Sequence, residues 1–325
     1  MSALRVGVLA YPGCFASEVY GVPDLLTMAT HVSGPGRAGY EVAVISPRRH
    51  VTAAGNMPLA VAPVREVDVL IVPGFELAAG LDVAARLASL APEIAAIRAH
   101  AATGNAVVSI CVGAFLLAEA GLLERRRATT AWLLADELGR RCPETDVRPE
   151  LLVVTDRGVT TTAAFSAMYD FALDLIRRHS GTRVARTTAR VALVDDARSS
   201  QTPYVDVRLL PQPGNEFSRR VMRLLDQNLA ARYDLAALAE SFNVSTRTLL
   251  RRFADETGQS PLDYLQSSRV RRARYLLETT EQTVAAVSTA VGYKDPGTFA
   301  ALFAKHTGQR PRDYRASFHR PTAGS

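Results

Sequence analysis

The chain has 325 residues, with 38 lysines and arginines against 32 aspartates and glutamates, for a net charge of +6. A length beyond one ordinary core, with 48% apolar residues, implies two globular domains. No apolar run of roughly 18 residues or more appears, nor a charged start leading into an apolar segment, so a membrane span and a secretory leader are not expected.

Cys14, Cys111 and Cys142 are an odd count at wide spacings, which fits neither a disulfide framework nor a zinc site. A reduced, cytoplasmic protein is expected, with no metal and no cofactor. The charge is uneven. Residues 1–215 hold 21 basic and 21 acidic side chains, whereas residues 216–318 hold 16 and 11, a net +5. A basic module attached to a neutral one points to an anionic partner, nucleic acid above all; a solvated arginine-rich surface is the plainer alternative.

In chain order, short apolar runs at 5–11, 40–46, 68–72, 106–110 and 151–154 predict strands. The stretches 17–30, 92–102, 132–141 and 166–178 predict helices between them, with Pro92 at a first-turn position. Continuous β-branched strands alternating with helices predict a parallel sheet covered on both faces. A ligand site in such a sheet forms beyond the carboxyl ends of the strands. Residues 12–18, 73–76 and 111–113 converge there.

The run SICVGAF at 109–115 places Cys111 on a sharp strand-to-helix turn, with Gly113 as the small residue such a turn needs. The following helix start would favour a thiolate, and Glu18 could reach the same crevice and bond the thiol. Residues 5 to about 200 resemble the class I glutamine amidotransferase-like superfamily, in its intracellular protease and deglycase branch. Glu18 ahead of Pro23-Asp24, VPGF at 72–75, SICVGAFLLAEAGLL at 109–123 and RRRATTAW at 125–132 carry the resemblance.

The resemblance implies a flavodoxin-like sandwich and a ligand pocket formed by Glu18, Gly74, Phe75, Cys111, Val112 and Ala131. It also implies a histidine where this chain has Ala131, and a glycine pair where it has Ser199-Ser200. A lone thiol near its free pKa is only a few per cent ionised at neutral pH. The expected reading is therefore a degenerate nucleophile position in a non-catalytic pocket. A buried turn cysteine, a hydrolase or deglycase, and a thiol redox sensor are the alternatives.

The prolines and glycine of 202–216 predict a linker between a first domain, 1–201, and a second, 217–318. The second contains an internal repeat. TLLRRFADETGQSPLDY at 248–264 and TFAALFAKHTGQRPRDY at 298–314 share nine of 17 positions. A short amphipathic segment precedes each copy: Leu235, Leu238 and Phe242 in the first, Val284, Val287 and Val291 in the second. Ser245 and Asp295 are good N-caps, and Pro296 suits a first helical position.

Helix, tight turn and helix with polar groups early in the second helix is the pattern that enters a DNA major groove. The candidate contacts are Ser245, Thr246, Arg247, Leu250 and Arg251 in the first unit. In the second they are Lys294, Asp295, Gly297, Thr298, Ala301 and Lys305. A bridging helix over 261–277 adds Arg271 and Arg272.

The runs VSTRTLLRRF, GQSPLDYL and GQRPRDY make residues 217–318 resemble the AraC/XylS regulators. The resemblance implies an all-α domain with two helix-turn-helix units, acting on double-stranded promoter DNA. It further implies a homodimer, a small-molecule effector such as an amino acid, amine or betaine, and contact with RNA polymerase. It implies an arginine where the chain has Ala301, so the first unit is expected to discriminate bases more than the second. Residues 319–325 are expected to be a disordered tail.

Overall fold

The computed structural model describes residues 3–34, 39–76, 82–195, 198, 200–205 and 216–318. It divides into two compact units, Met1–Gln201 and Thr202–Ser325. The expected linker falls largely outside the described residues, as does the expected tail.

The first unit is an α/β flavodoxin-like sandwich. Its seven-stranded sheet runs in the spatial order Val153–Asp156, Val159–Thr162, Ala106–Ser109, Val69–Val72, Leu4–Leu9, Tyr40–Ser46, Ala62–Pro63. Five of the six pairings are parallel. The exception is an edge hairpin in which Val153–Asp156 runs antiparallel to Val159–Thr162. Two expectations change here. The strand expected to begin at 151–154 starts two residues later, as Val153–Asp156, and Val159–Thr162 was not anticipated. Its threonine run carries no apolar signal, although all four side chains are buried.

The central strands match the expectation of continuous apolar segments. All four residues of Val69–Val72 are buried, as are the last four of Leu4–Leu9. Helix Ala16–Ser33 buries Glu18, Val22, Leu25 and Ala29 on one stripe at helical spacing, so Glu18 is carried into the interior with the apolar residues. Residues 132–141 form a short 3₁₀ turn, Trp132–Leu134, before helix Ala135–Arg141 rather than one helix. Helix Thr182–Ala192 was also not anticipated. It buries only Val184, Ala185, Thr188 and Ala189, a stripe of small residues that leaves little apolar periodicity.

The second unit is all-α and holds two cores. One gathers Val221, Leu225, Leu249, Phe253, Tyr264 and Leu265. The other gathers Val270, Leu277, Val287, Phe299, Phe303 and Tyr314. The bridging helix Pro261–Thr279 supplies both, its first half to one core and its second half to the other.

The sequence repeat is a repeat of packing. Phe253 meets Tyr264 edge-on at 6.2 Å, and Phe303 meets Tyr314 edge-on at 5.3 Å. Tyr264 donates to Asp226 at 2.8 Å, and Tyr314 to Glu278 at 2.5 Å. The Thr-Gly-Gln turns close alike, with Thr257 and Thr307 hydroxyls on the carbonyls of Phe253 and Phe303. Each buried aromatic of this size contributes about 1.5–3 kcal/mol over its exposed state, which is why these positions carry the repeat.

Candidate functional sites

In the first unit the chain leaves strand Ala106–Ser109 and turns sharply at Cys111, whose φ of 54° is left-handed. A non-glycine residue there is strained and needs support. The Cys111 amide donates to Ala163 O at 3.1 Å, and the Thr130 hydroxyl donates to Cys111 O at 2.9 Å. Gly113 makes the turn possible. A Cβ at 113 would lie 2.5 Å from Val72 O and 2.6 Å from Pro73 O, both rigid backbone.

Glu18 approaches from its helix and accepts the Gly74 amide at 2.5 Å with Oε2, while Oε1 is buried without a partner. A Cβ on Gly74 would sit 3.2 Å from both Cys111 Cβ and Glu18 Oε2. The six expected pocket residues Glu18, Gly74, Phe75, Cys111, Val112 and Ala131 are all buried. Around them lie residues the sequence reading did not single out. Arg86 lies over the Phe75 ring at 5.5 Å and donates to Pro12 O. Tyr11 donates to Pro73 O. Phe165 packs edge-on against Phe15 at 5.7 Å.

Buried Gln201 donates to Thr130 O at 2.9 Å and accepts the Trp132 amide at 3.2 Å. It thereby fixes the turn that carries Ala131. The signal for it was its place directly after Ser199-Ser200, where the resemblance implies a glycine pair.

The electrostatics run against the thiolate that the helix start alone would favour. Burial, and then the Glu18 carboxylate, push the Cys111 thiol up to about 12, against opposing amides of Phe165 and Val112. The helix that was to supply a favourable dipole is only Ala114–Glu119, six residues, and too short to offset that desolvation. Glu18 is itself raised to about 7 by burial, which the Gly74 amide only partly opposes. Its Oε2 is spent on Gly74 rather than on the thiol. Cys14 is raised to about 11, again by burial. Two of the six histidines have other partners. His100 Nε2 lies 3.1 Å from Ala106 O, and the His179 ring lies against Tyr40. Among the described residues no three metal-ligating side chains come together.

In the second unit, the first helix-turn-helix is Leu235–Glu240 followed by Thr246–Thr257. The turn passes through Asn243 at φ 52°, and the Ser245 hydroxyl accepts the Thr248 amide at 3.2 Å. The second is Val284–Ala290 followed by Pro296–Thr307. Its turn passes through Gly292 at φ 89°, where a Cβ would meet Ala230 O at 2.8 Å. Asp295 caps it, accepting the Gly297 and Thr298 amides at 3.2 and 2.7 Å.

Ser245, Thr246, Arg247 and Arg251 are exposed on one helix, with Leu250 half-buried beside them. Lys294, Asp295, Gly297, Thr298, Ala301 and Lys305 are exposed on the other. The second face is poorer in free donors. Thr298 already gives its hydroxyl to Asp295 at 2.6 Å, and Ala301 stands at the position of Arg251.

The arginines of the bridging helix have divided roles. Arg269 is 7% exposed, donates to Leu229 O and Ala231 O at 2.8 and 2.6 Å, and lies 5.1 Å from the Tyr293 ring. Arg274 bonds Tyr314 and the carbonyls of Pro203 and Val205. Arg271 approaches Asp226 at 3.7 Å and lies over Tyr264. Arg272 is exposed against Tyr275. Arg271 and Arg272 were expected alike to contact DNA; Arg271 is instead engaged within the protein.

No helix among the described residues is long and apolar enough to cross a membrane. The DJ-1/PfpI family matches residues 20–178, and a helix-turn-helix domain family matches residues 238–317. The transcriptional regulator GbdR of Pseudomonas aeruginosa is 27% identical over 220 residues, spanning 67% of this chain and 60% of its own length. The regulator CdhR of the same species is 28% identical over 264 residues, 80% of this chain and 76% of that protein.

The crystal structure of a putative transcriptional regulator from Vibrio parahaemolyticus superposes with a TM-score of 0.50 at 21% identity, over 58% of this chain and 99% of that one. That likeness bears on the fold alone. The chain thus carries a segment similar to the DJ-1/PfpI family followed by one similar to a helix-turn-helix domain family, the order in which its sequence resembles regulators of this kind.

Proposed function

We propose that the chain is a sequence-specific, DNA-binding transcriptional regulator whose first unit senses a small metabolite without catalysis. One observation carries the reading: two capped helices expose polar faces on a module of net charge +5. The partner is double-stranded promoter DNA, read in paired half-sites by a homodimer in the cytoplasm, with RNA polymerase as a further contact.

Reading is unequal between the units. The first helix begins at a neutral cap, Ser245, and offers Arg247 and Arg251, which can pair bidentately with guanine. The second begins at Asp295, whose charge opposes a phosphate at that helix end. Its Ala301 has no donor, so its contribution is anchoring through Lys294 and Lys305.

The non-catalytic reading of Cys111 is supported by its burial, its raised thiol and the alanine at 131. A thiol held near 12 supplies almost no nucleophile at neutral pH and resists peroxide for the same reason.

The deciding experiment is selection from random DNA by the full-length protein at physiological salt, followed by sequencing. Enrichment of one paired motif is expected. Binding at low salt with no enriched motif would leave only an electrostatic tether and defeat the regulator reading.

A further inference from the structure

The two cores of the second unit share no side chain, and one helix, Pro261–Thr279, runs through both. A lone connecting helix would leave the two lobes free to tilt and twist about it. A second connection lies near its midpoint. The backbone that follows helix Glu216–Gln227 belongs with the first core, through Leu229 and Tyr233. Arg269 donates to Leu229 O at 2.8 Å and to Ala231 O at 2.6 Å.

Between those carbonyls the backbone of Ala230 lies against the turn of the second reader. A Cβ on Gly292 would fall 2.8 Å from Ala230 O and 2.9 Å from its Cα. Arg269 also faces the Tyr293 ring at 5.1 Å, within cation–π range. Tyr293 in turn packs 5.8 Å from Phe299 of helix Pro296–Thr307. The first lobe, the bridging helix and the second reader thus meet around one guanidinium. That group is 7% exposed. A charge so buried adds little stability over an apolar residue of like volume, because its bonds mainly offset its desolvation. What it supplies is geometry, since a planar fork holds two carbonyls in one arrangement.

We propose that Arg269 is a positioning residue that fixes the spacing of the two reader helices, so that one chain accepts its two sub-sites at a single separation. One base pair more or less moves a sub-site by about 3.4 Å and turns it by about 35°. Lobes joined by a helix alone would follow that change. Lobes clasped at Arg269 must deform the DNA or give up one reader's contacts. The proposal rests on the DNA-binding reading above, and adds spacing to base contacts as a source of discrimination.

The test has an arm without DNA. Asp255→Cys and Lys305→Cys are exposed, equivalent positions of the two reader helices. Nitroxides there report the separation by double electron–electron resonance in the full chain, diluted into unlabelled chain. Cys142→Ser removes the half-buried thiol, and Cys14 and Cys111 are buried. The distance distribution is expected to be narrow in the parent and broad in Arg269→Met and Tyr293→Leu. Arg269→Lys, which can keep one carbonyl, should fall between. Tyr293→Leu leaves both carbonyl bonds in place, so it serves if Arg269→Met does not fold.

The second arm uses the motif selected from random DNA, with one base pair inserted or removed between its sub-sites. The parent should bind the altered sites about tenfold or more weaker, the low end of what deforming DNA costs, and Arg269→Met about threefold or less weaker. An arginine that only stabilised the fold would weaken every spacing by the same factor. Equal distance distributions in the parent and the folded variants overturn the proposal. So does a spacing penalty in Arg269→Met as large as the parent's. Failure to select any motif counts against the regulator reading, and the distance arm still decides the role of Arg269.

Discussion

Glu18 and Cys111 are two titratable groups that burial shifts upward in the first unit. Glu18 is raised to about 7 in the folded chain from 4.5. The folded state therefore holds the proton more tightly than the unfolded one. Stability is full below about pH 4.5 and is lost as pH rises through about 7, at a cost of about 3 kcal/mol once the carboxylate must ionise. Glu18→Gln keeps the acceptor for the Gly74 amide and removes the charge. It should melt higher than the parent at pH 8 and no higher at pH 5; thermal melts at the two values check this, and a parent melt independent of pH would refute it. Cys111 makes a kinetic prediction. With its thiol held near 12, iodoacetamide at pH 7.5 should leave Cys111 unmodified in the folded chain and label all three cysteines after denaturation. Mass spectrometry locates the adducts, and rapid folded-state labelling at Cys111 would restore the enzyme reading.

At the scale of elements, both reader helices depend on side-chain caps. Ser245→Ala removes one acceptor for a helix-start amide, and Asp295→Ala removes acceptors for two. Each should lower stability by about 1 kcal/mol, seen in denaturant melts of the full chain. Their effects on DNA should diverge. Ser245→Ala weakens binding, whereas Asp295→Ala takes a negative charge from the face and should bind non-specific DNA more tightly at low salt. These caps were legible in the sequence, since Ser245 and Asp295 stand directly before periodic apolar residues. So were the repeat, the strands with continuous β-branched runs and the turn at Cys111. Val159–Thr162 was not, because threonines are buried there on hydrogen bonds rather than on hydrophobicity. Helix Thr182–Ala192 was not, because its buried stripe is one valine with alanines and a threonine, set between arginines. The thiol's protonation was also hidden. It depends on Glu18, 93 positions away in the chain, and on how completely Phe75 and its neighbours enclose the turn.

For the whole molecule, the division of charge sets how DNA binding responds to salt. The first unit and the segment up to residue 215 are neutral in sum, so counterion release comes from the module after residue 215. Each phosphate neutralised there contributes about 0.9 to the slope of log affinity against log salt. Arg272 is exposed and free to reach a phosphate, whereas Arg271 is held against Asp226 and Tyr264. Arg272→Ala should therefore reduce the slope by about 0.9 on specific and scrambled DNA alike. Arg271→Ala should change the slope less and the melting temperature more. Arg247→Ala and Arg251→Ala should act differently, each costing about 1–3 kcal/mol of preference for the selected site over a scrambled one. Fluorescence anisotropy across a salt series, on both DNAs with all four variants, separates the classes. Equal losses on both DNAs for every variant would mean that the exposed face of Thr246–Thr257 does not read bases, and that binding is backbone attraction throughout.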